Sequence, residues 1–173
     1  MSSRDRNKVS RARRPGRAET SFKTAIDEAE HLKHCSELEA LKNGDGKSRI
    51  QVKSGSRTLG SVDIDSDCKR AHSGSPRWDY LVGVERLGSA VAHFIEVHGA
   101  ETHGVSAVQR KLEWLRGYLE RKNQGKLRKL SSEFHWVASG RINIPQTTPQ
   151  FRLLRTTLRN QGLRGPFTSL KLG

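Results

Sequence analysis

Ala92-His93-Phe94-Ile95-Glu96-Val97-His98, closed by Gly99, is the stretch whose reading decides the fold. Its β-branched and aromatic content and its length suit a strand, and alternate side chains of a strand share a face. Phe94, Glu96 and His98 therefore point one way, while Ile95 and Val97 point the other, toward a covering helix. Just upstream, Trp78-Asp79-Tyr80-Leu81-Val82-Gly83-Val84 reads as a second strand, and Arg86-Leu87-Gly88-Ser89 as the turn between the two. Antiparallel pairing through that turn would bring the Asp79 carboxylate beside Glu96.

Working outward, Phe22, Ala25, Ile26, Ala29, Leu32, Cys35, Leu38 and Leu41 recur at three- and four-residue steps between a capping Ser21 and Asn43-Gly44, which predicts one long amphipathic helix. The runs Ile50–Val52 and Leu59–Ile64, separated by Ser54-Gly55-Ser56, suggest a hairpin, and the Gly-, Ser- and Pro-rich segment from Ala71 to Pro76 a loop. Val105, Val108, Leu112, Leu115 and Leu119 mark a second long helix from about His103 to Lys122. Phe134–Ala138 should be a further strand, Pro149–Asn160 a basic helix stopped near Gly162, and Phe167–Leu172 a last strand. A meander followed by a crossover helix and another strand predicts an α/β domain with a mixed sheet and helices on both faces.

Thirty-two Lys and Arg against eighteen Asp and Glu leave +14 on 173 residues, a balance that attracts polyanions and makes binding sensitive to salt. Within residues 1–18, seven basic side chains face Asp5 alone, so +6 of this charge lies in an arm expected to be disordered; residues 19–173 are expected to form a single domain. No apolar run approaches the ~18 residues of a membrane span, and no secretory signal is visible. Cys35 and Cys68 lack metal-ligand spacing and read as reduced thiols of a cytoplasmic protein. Nucleic acid is the expected partner, with DNA favoured over RNA and no membrane; a chain this small also leaves room for a homodimer or a partner protein.

Two carboxylates converging at one end of a sheet repel unless a divalent cation neutralises them, and such a cation activates water for phosphodiester displacement. Asp79 in Arg77-Trp78-Asp79-Tyr80 and Glu96-Val97-His98 at the end of an apolar strand resemble the motif of the PD-(D/E)XK nuclease-like superfamily, which includes restriction endonucleases, recombination nucleases and Holliday-junction resolvases. The element order, roughly αβββαβαβ, is also similar to that family's restriction-endonuclease-like fold. The resemblance implies Mg2+ or Mn2+ held by Asp79 and Glu96, with nuclease activity. It also implies a lysine at position 98, where this chain has His98, a residue able to act as general base but not a fixed cation. Lys111, on the following helix, could supply a displaced lysine, as happens in some members. Some branches add a Glu or His from the first helix, for which Glu28, His31 and His34 are the candidates, Glu28 foremost. The alternative is a nuclease-like module without turnover, serving as a nucleic-acid-binding or assembly subunit; a basic RNA-associated protein with structural carboxylates is a third reading.

Arg152, Arg155 and Arg159 are spaced to share one helix face and could track phosphates. Trp114, Tyr118 and Trp136 suit core packing better than base stacking. His93, His98 and His103 recur every fifth residue, but the odd separation sets His93 and His98 on opposite faces of a strand and argues against a shared metal.

Overall fold

The structure, a computed structural model, describes residues 16–42 and 48–173. The basic arm up to Pro15 and the expected helix stop at Asn43-Gly44 lie outside the described residues. The chain runs α1 (Arg17–Asp27), β1 (Ile50–Val52), β2 (Thr58–Asp63), α2 (Ile64–Cys68), β3 (Tyr80–Arg86), β4 (Ser89–Glu101), α3 (Thr102–Leu119), α4 (Gly125–Lys129), β5 (Ser131–Asn143), α5 (Pro149–Leu153, continuing as a π-helical turn over Leu154–Leu158), β6 (Leu163–Phe167) and β7 (Leu170–Leu172). Five strands form one sheet in the order β2-β3-β4-β5-β6, antiparallel from β2 to β4 and parallel from β4 to β6. This is the mixed sheet expected, with α3 as the crossover between β4 and β5.

The strand alternation read from the sequence holds. Leu81, Phe94 and Trp136 belong to one buried cluster, with Phe22 and Ile26 of α1 and Val108, Leu112 and Leu115 of α3. Val82, Ile95 and Val137 belong to a second cluster on the opposite face. That second face is not covered by a helix among the described elements. Instead Leu38 and Leu41 pack there with β1 and β7, which pair in parallel as a separate two-stranded sheet. The expected hairpin between residues 50–52 and 59–64 is therefore corrected: the partner of β1 is 120 residues downstream (Ile50 with Leu170), and β2 pairs with β3.

The first helix is also shorter than its periodicity suggests, ending at Asp27 instead of reaching Leu41, and it starts at Arg17, inside the stretch expected as an arm. His31 turns back with φ +69°, a left-handed conformation that stops helical propagation. Cys35 then forms an antiparallel bridge with Ser61 of the edge strand β2, its amide and carbonyl exchanging 2.9 Å hydrogen bonds with Ser61. The segment thus rounds the sheet edge: Phe22 packs on one face and Leu41 on the other. A straight helix could not deliver both.

Glycine lets two elements approach closely. A Cβ at Gly83 would lie 2.7 Å from the Phe22 ring, and one at Gly104, in the first turn of α3, 2.1 Å from the Gly99 carbonyl oxygen. Gly104 therefore seats α3 directly against the end of β4. The β3–β4 turn has Leu87 and Gly88 at φ +51° and +75°, the pair of positive φ values that matches the twist of a tight hairpin.

Candidate functional site

Asp79 immediately precedes β3, and its neighbour Tyr80 pairs with Ile95 of β4. The Asp79 carboxylate reaches across, with Oδ2 accepting a 2.9 Å hydrogen bond from the Val97 amide, midway between Glu96 and His98. Glu96 projects from β4 toward α3 and is fully buried. Lys111 descends from α3 between them: its Nζ donates to Asp79 Oδ1 at 3.1 Å and to Glu96 Oε1. Two carboxylates and one ammonium thus form a compact cluster, reached through the one-fifth of the Asp79 and Lys111 side chains that remains exposed. α3 follows β4 directly, and nine residues into it Lys111 lies on the turn above the carboxylates, one step from the buried Leu112 and Val108.

The charges do not balance. Burial, and then repulsion by Asp79, push the Glu96 carboxyl well above its ordinary range, against the pull of Lys111. Burial works against the Lys111 ammonium, yet Glu96 and Asp79 hold it above its ordinary value, so it stays charged. Glu96 Oε2 is buried and has no hydrogen-bond partner among the described residues. An orphaned buried carboxylate oxygen is costly unless something outside the chain completes it.

His98 follows Glu96 on the same face, with Nδ1 3.8 Å from Glu96 Oε1 and the side chain one-third exposed. Burial and the nearby Lys111 charge lower its pKa, so the imidazole is neutral at neutral pH. Its carbonyl accepts a 3.2 Å hydrogen bond from the Trp136 indole, tying β4 to β5 beside the cluster. Trp136 and Tyr118 are buried, in keeping with their core reading, while Trp114 stacks on Tyr118 at 5.3 Å between ring centroids.

Asp79, Glu96, His98 and Lys111 are thus brought together, as the sequence suggested. Glu28 caps the end of α1 at the exposed surface, where it is ion-paired with Lys126. His31 and His34 lie beyond α1 and not on the first helix as expected; His34 Nε2 meets the Leu59 carbonyl at 3.0 Å. Arg152, Arg155 and Arg159 are all exposed on α5 and the turn that continues it. Arg155 and Arg159, with Arg164 of β6, line a surface cavity of about 520 Å³, floored by Gly162, Leu163 and Phe167. Arg164 was not among the expected phosphate contacts, because only the folding back of β6 beside α5 adds it to the stripe.

No helix among the described residues is long and apolar enough to cross a membrane. Cys35 and Cys68 are both free thiols; burial pushes the Cys68 thiol up to about 11, which makes it unreactive. No protein-family model, curated protein or solved structure matches this chain.

Proposed function

We propose that the chain is a divalent-metal-dependent nuclease of the restriction-endonuclease-like, PD-(D/E)XK kind, hydrolysing phosphodiester bonds in nucleic acid, with DNA the favoured substrate. The observation that carries this reading is Lys111, held between Asp79 and Glu96 at one end of two adjacent strands. An acid, a strand-borne Glu and a lysine meet as the resemblance requires, the lysine arriving from α3 instead of position 98. The succession of α1, the antiparallel strands β2 to β4, the crossover α3 and the parallel β5 supports the same reading.

The donor set fits Mg2+ or Mn2+. Asp79 and Glu96 offer only carboxylate oxygens, which suit hard cations, and the orphaned Glu96 Oε2 is an oxygen that such an ion would satisfy. When bound, the ion would supply water activation and neutralise charge on the phosphate. Lys111, kept charged by its two carboxylates, donates hydrogen bonds and cannot act as a base; it would orient water or the scissile phosphate. His98, neutral and partly exposed, is the group free to accept the proton of the attacking water. Arg152, Arg155 and Arg159 would hold flanking phosphates.

The test is cleavage of single- and double-stranded DNA and RNA with each metal, comparing wild type with Asp79→Ala, Glu96→Ala and Lys111→Ala. Metal-dependent cleavage should fall by about 10²-fold or more in each variant; activity unchanged in the two acid variants would overturn the assignment.

Lys111 also favours a second reading, because an ammonium already shared by both acids can serve them in the absence of a metal. The chain would then be a nuclease relative without turnover, acting as a nucleic-acid-binding or assembly subunit. Divalent-ion uptake separates the two: salt-sensitive nucleic-acid binding with no Mg2+ or Mn2+ uptake, even in the complex, selects the subunit.

A further inference from the structure

Three ligand atoms converge on the opposite face of the same two strands. β4 and β5 run parallel with His93 opposite Glu133, and His135 follows two residues along, so all three side chains leave the sheet on the face of Ile95 and Val137. His93 Nδ1 lies 3.1 Å from His135 Nε2, and Glu133 Oε2 lies 3.5 Å from each. His93 is 1% and His135 4% exposed.

We propose that His93 Nδ1, His135 Nε2 and Glu133 Oε2 form a Zn2+ site, with a fourth position left for water. The site is separate from the Asp79–Glu96–Lys111 cluster, and it stands whether or not that cluster cleaves nucleic acid.

Geometry is the first support. Zinc bonds of about 2.0–2.1 Å in tetrahedral directions separate the ligand atoms by about 3.3–3.4 Å, close to the triangle observed. The second is proton counting. The three facing atoms are all electron-rich, and at 3.1 Å the space between the two imidazole nitrogens has room for one proton only. With one proton placed there, the Glu133 oxygen still faces both rings at 3.5 Å without a short hydrogen bond to either. A cation resolves the crowding of all three at once. The third is readiness. Both imidazoles are buried, and the neutral imidazole is the form that ligates a metal. Glu133 is kept a carboxylate by Arg86 and Arg164, which pair with it against the pull of burial. Arg86 bonds Oε1 at 2.9 Å and Arg164 bonds Oε2 at 3.0 Å, fixing the carboxylate in place, while the outer ring nitrogens, His93 Nε2 and His135 Nδ1, have no partner among the described residues. Two nitrogens and one oxygen suit zinc and are a poor donor set for Mg2+ or Ca2+. Such an ion would staple β4 to β5, the strands that the α3 crossover separates in sequence.

The experiment uses the full, tag-free chain, stripped with chelator and titrated with Zn2+, with Co2+ as the spectroscopic probe. Elemental analysis should find one Zn2+ per chain, thermal melting should shift upward on Zn2+ addition, and Co2+ should give the visible bands of tetrahedral nitrogen–oxygen ligation. His93→Ala and His135→Ala should abolish all three, and Glu133→Gln, which keeps the shape of the side chain, should weaken binding at least tenfold. Glu96→Gln should leave binding intact. The wild-type Co2+ spectrum and the Glu133→Gln variant carry the test if a histidine variant fails to fold. No stoichiometric uptake by the wild type, uptake unaffected by Glu133→Gln, or uptake removed by Cys35→Ser or Glu96→Gln would each overturn the site.

Discussion

Glu96 and Glu133 sit on neighbouring strands, on opposite faces of one sheet, and their surroundings differ in kind. Glu96 is fully buried beside Asp79; burial and Asp79 together push its carboxyl upward against the pull of Lys111, and one of its oxygens has no partner among the described residues. Glu133 is slightly exposed, has an arginine on each oxygen, and is held downward. A chain selected only for stability would satisfy or replace a carboxylate like Glu96, because a half-satisfied buried charge costs more than an apolar side chain. The unpartnered oxygen of Glu96 is what the proposed Mg2+ or Mn2+ would complete, whereas both oxygens of Glu133 already have arginine partners.

The contrast breaks most sharply at Lys111. Lys111→Ala leaves two carboxylates facing each other, and should cost about 3 kcal/mol in denaturant unfolding at neutral pH, the lower end for breaking a buried pair because Lys111 is partly exposed. Mg2+ or Mn2+ should recover part of that loss, whereas Zn2+ acting at Glu133 should not depend on the substitution.

Next in size is Gly104→Ala, which forces α3 away from the Gly99 carbonyl and should cost about 1–3 kcal/mol as overpacking. It should also displace Lys111 from Asp79 while leaving Zn2+ uptake by His93 and His135 unchanged. If metal behaviour on both faces changes together, the two clusters are not independent.

Glu96→Gln should act in the opposite direction. A carboxyl whose folded pKa is raised gives the folded state the tighter hold on the proton, so stability falls as pH rises from the ordinary value of 4.5 through the folded value. The glutamine variant escapes that loss, and should melt about 2–4 °C above wild type at pH 8 for each kcal/mol recovered, the gap closing below about pH 4.5. A gap that persisted at acid pH would mean that packing, and not ionisation, sets it.

The smallest effect on stability, within about 0.5 kcal/mol, is expected from the triple change Arg152→Gln, Arg155→Gln and Arg159→Gln, since all three are exposed. Nucleic-acid affinity should nonetheless fall, with the salt slope reduced by up to about 2–3. An unchanged slope would remove the stripe from the interface.

Much of the Glu96 side was legible beforehand, since Asp79, Glu96 and His98 were joined by one hairpin whose turn residues announced it. Lys111 was readable only as a candidate, because its spacing from Leu112 and Val108 fits a solvated helix face equally well. The Glu133 side was missed. Glu133-Phe134-His135 has the two-residue spacing of a shared strand face, but its partner His93 comes through parallel pairing across the α3 crossover, and no local pattern encodes that register.

By itself, the sequence determined what depends on near neighbours: the alternation along β4, the tight turn at Leu87-Gly88, the amphipathic spacing of α3 and the basic surplus. These follow from steric and hydrophobic periodicities a few residues long. Only the tertiary structure decided that β1 pairs with β7, that residues 29–41 leave the helix to round the sheet edge, that Lys111 closes over two acids, and that His93 meets Glu133 and His135. Each of those depends on contacts between segments far apart in the chain, where burying both faces of one sheet outweighs local preference.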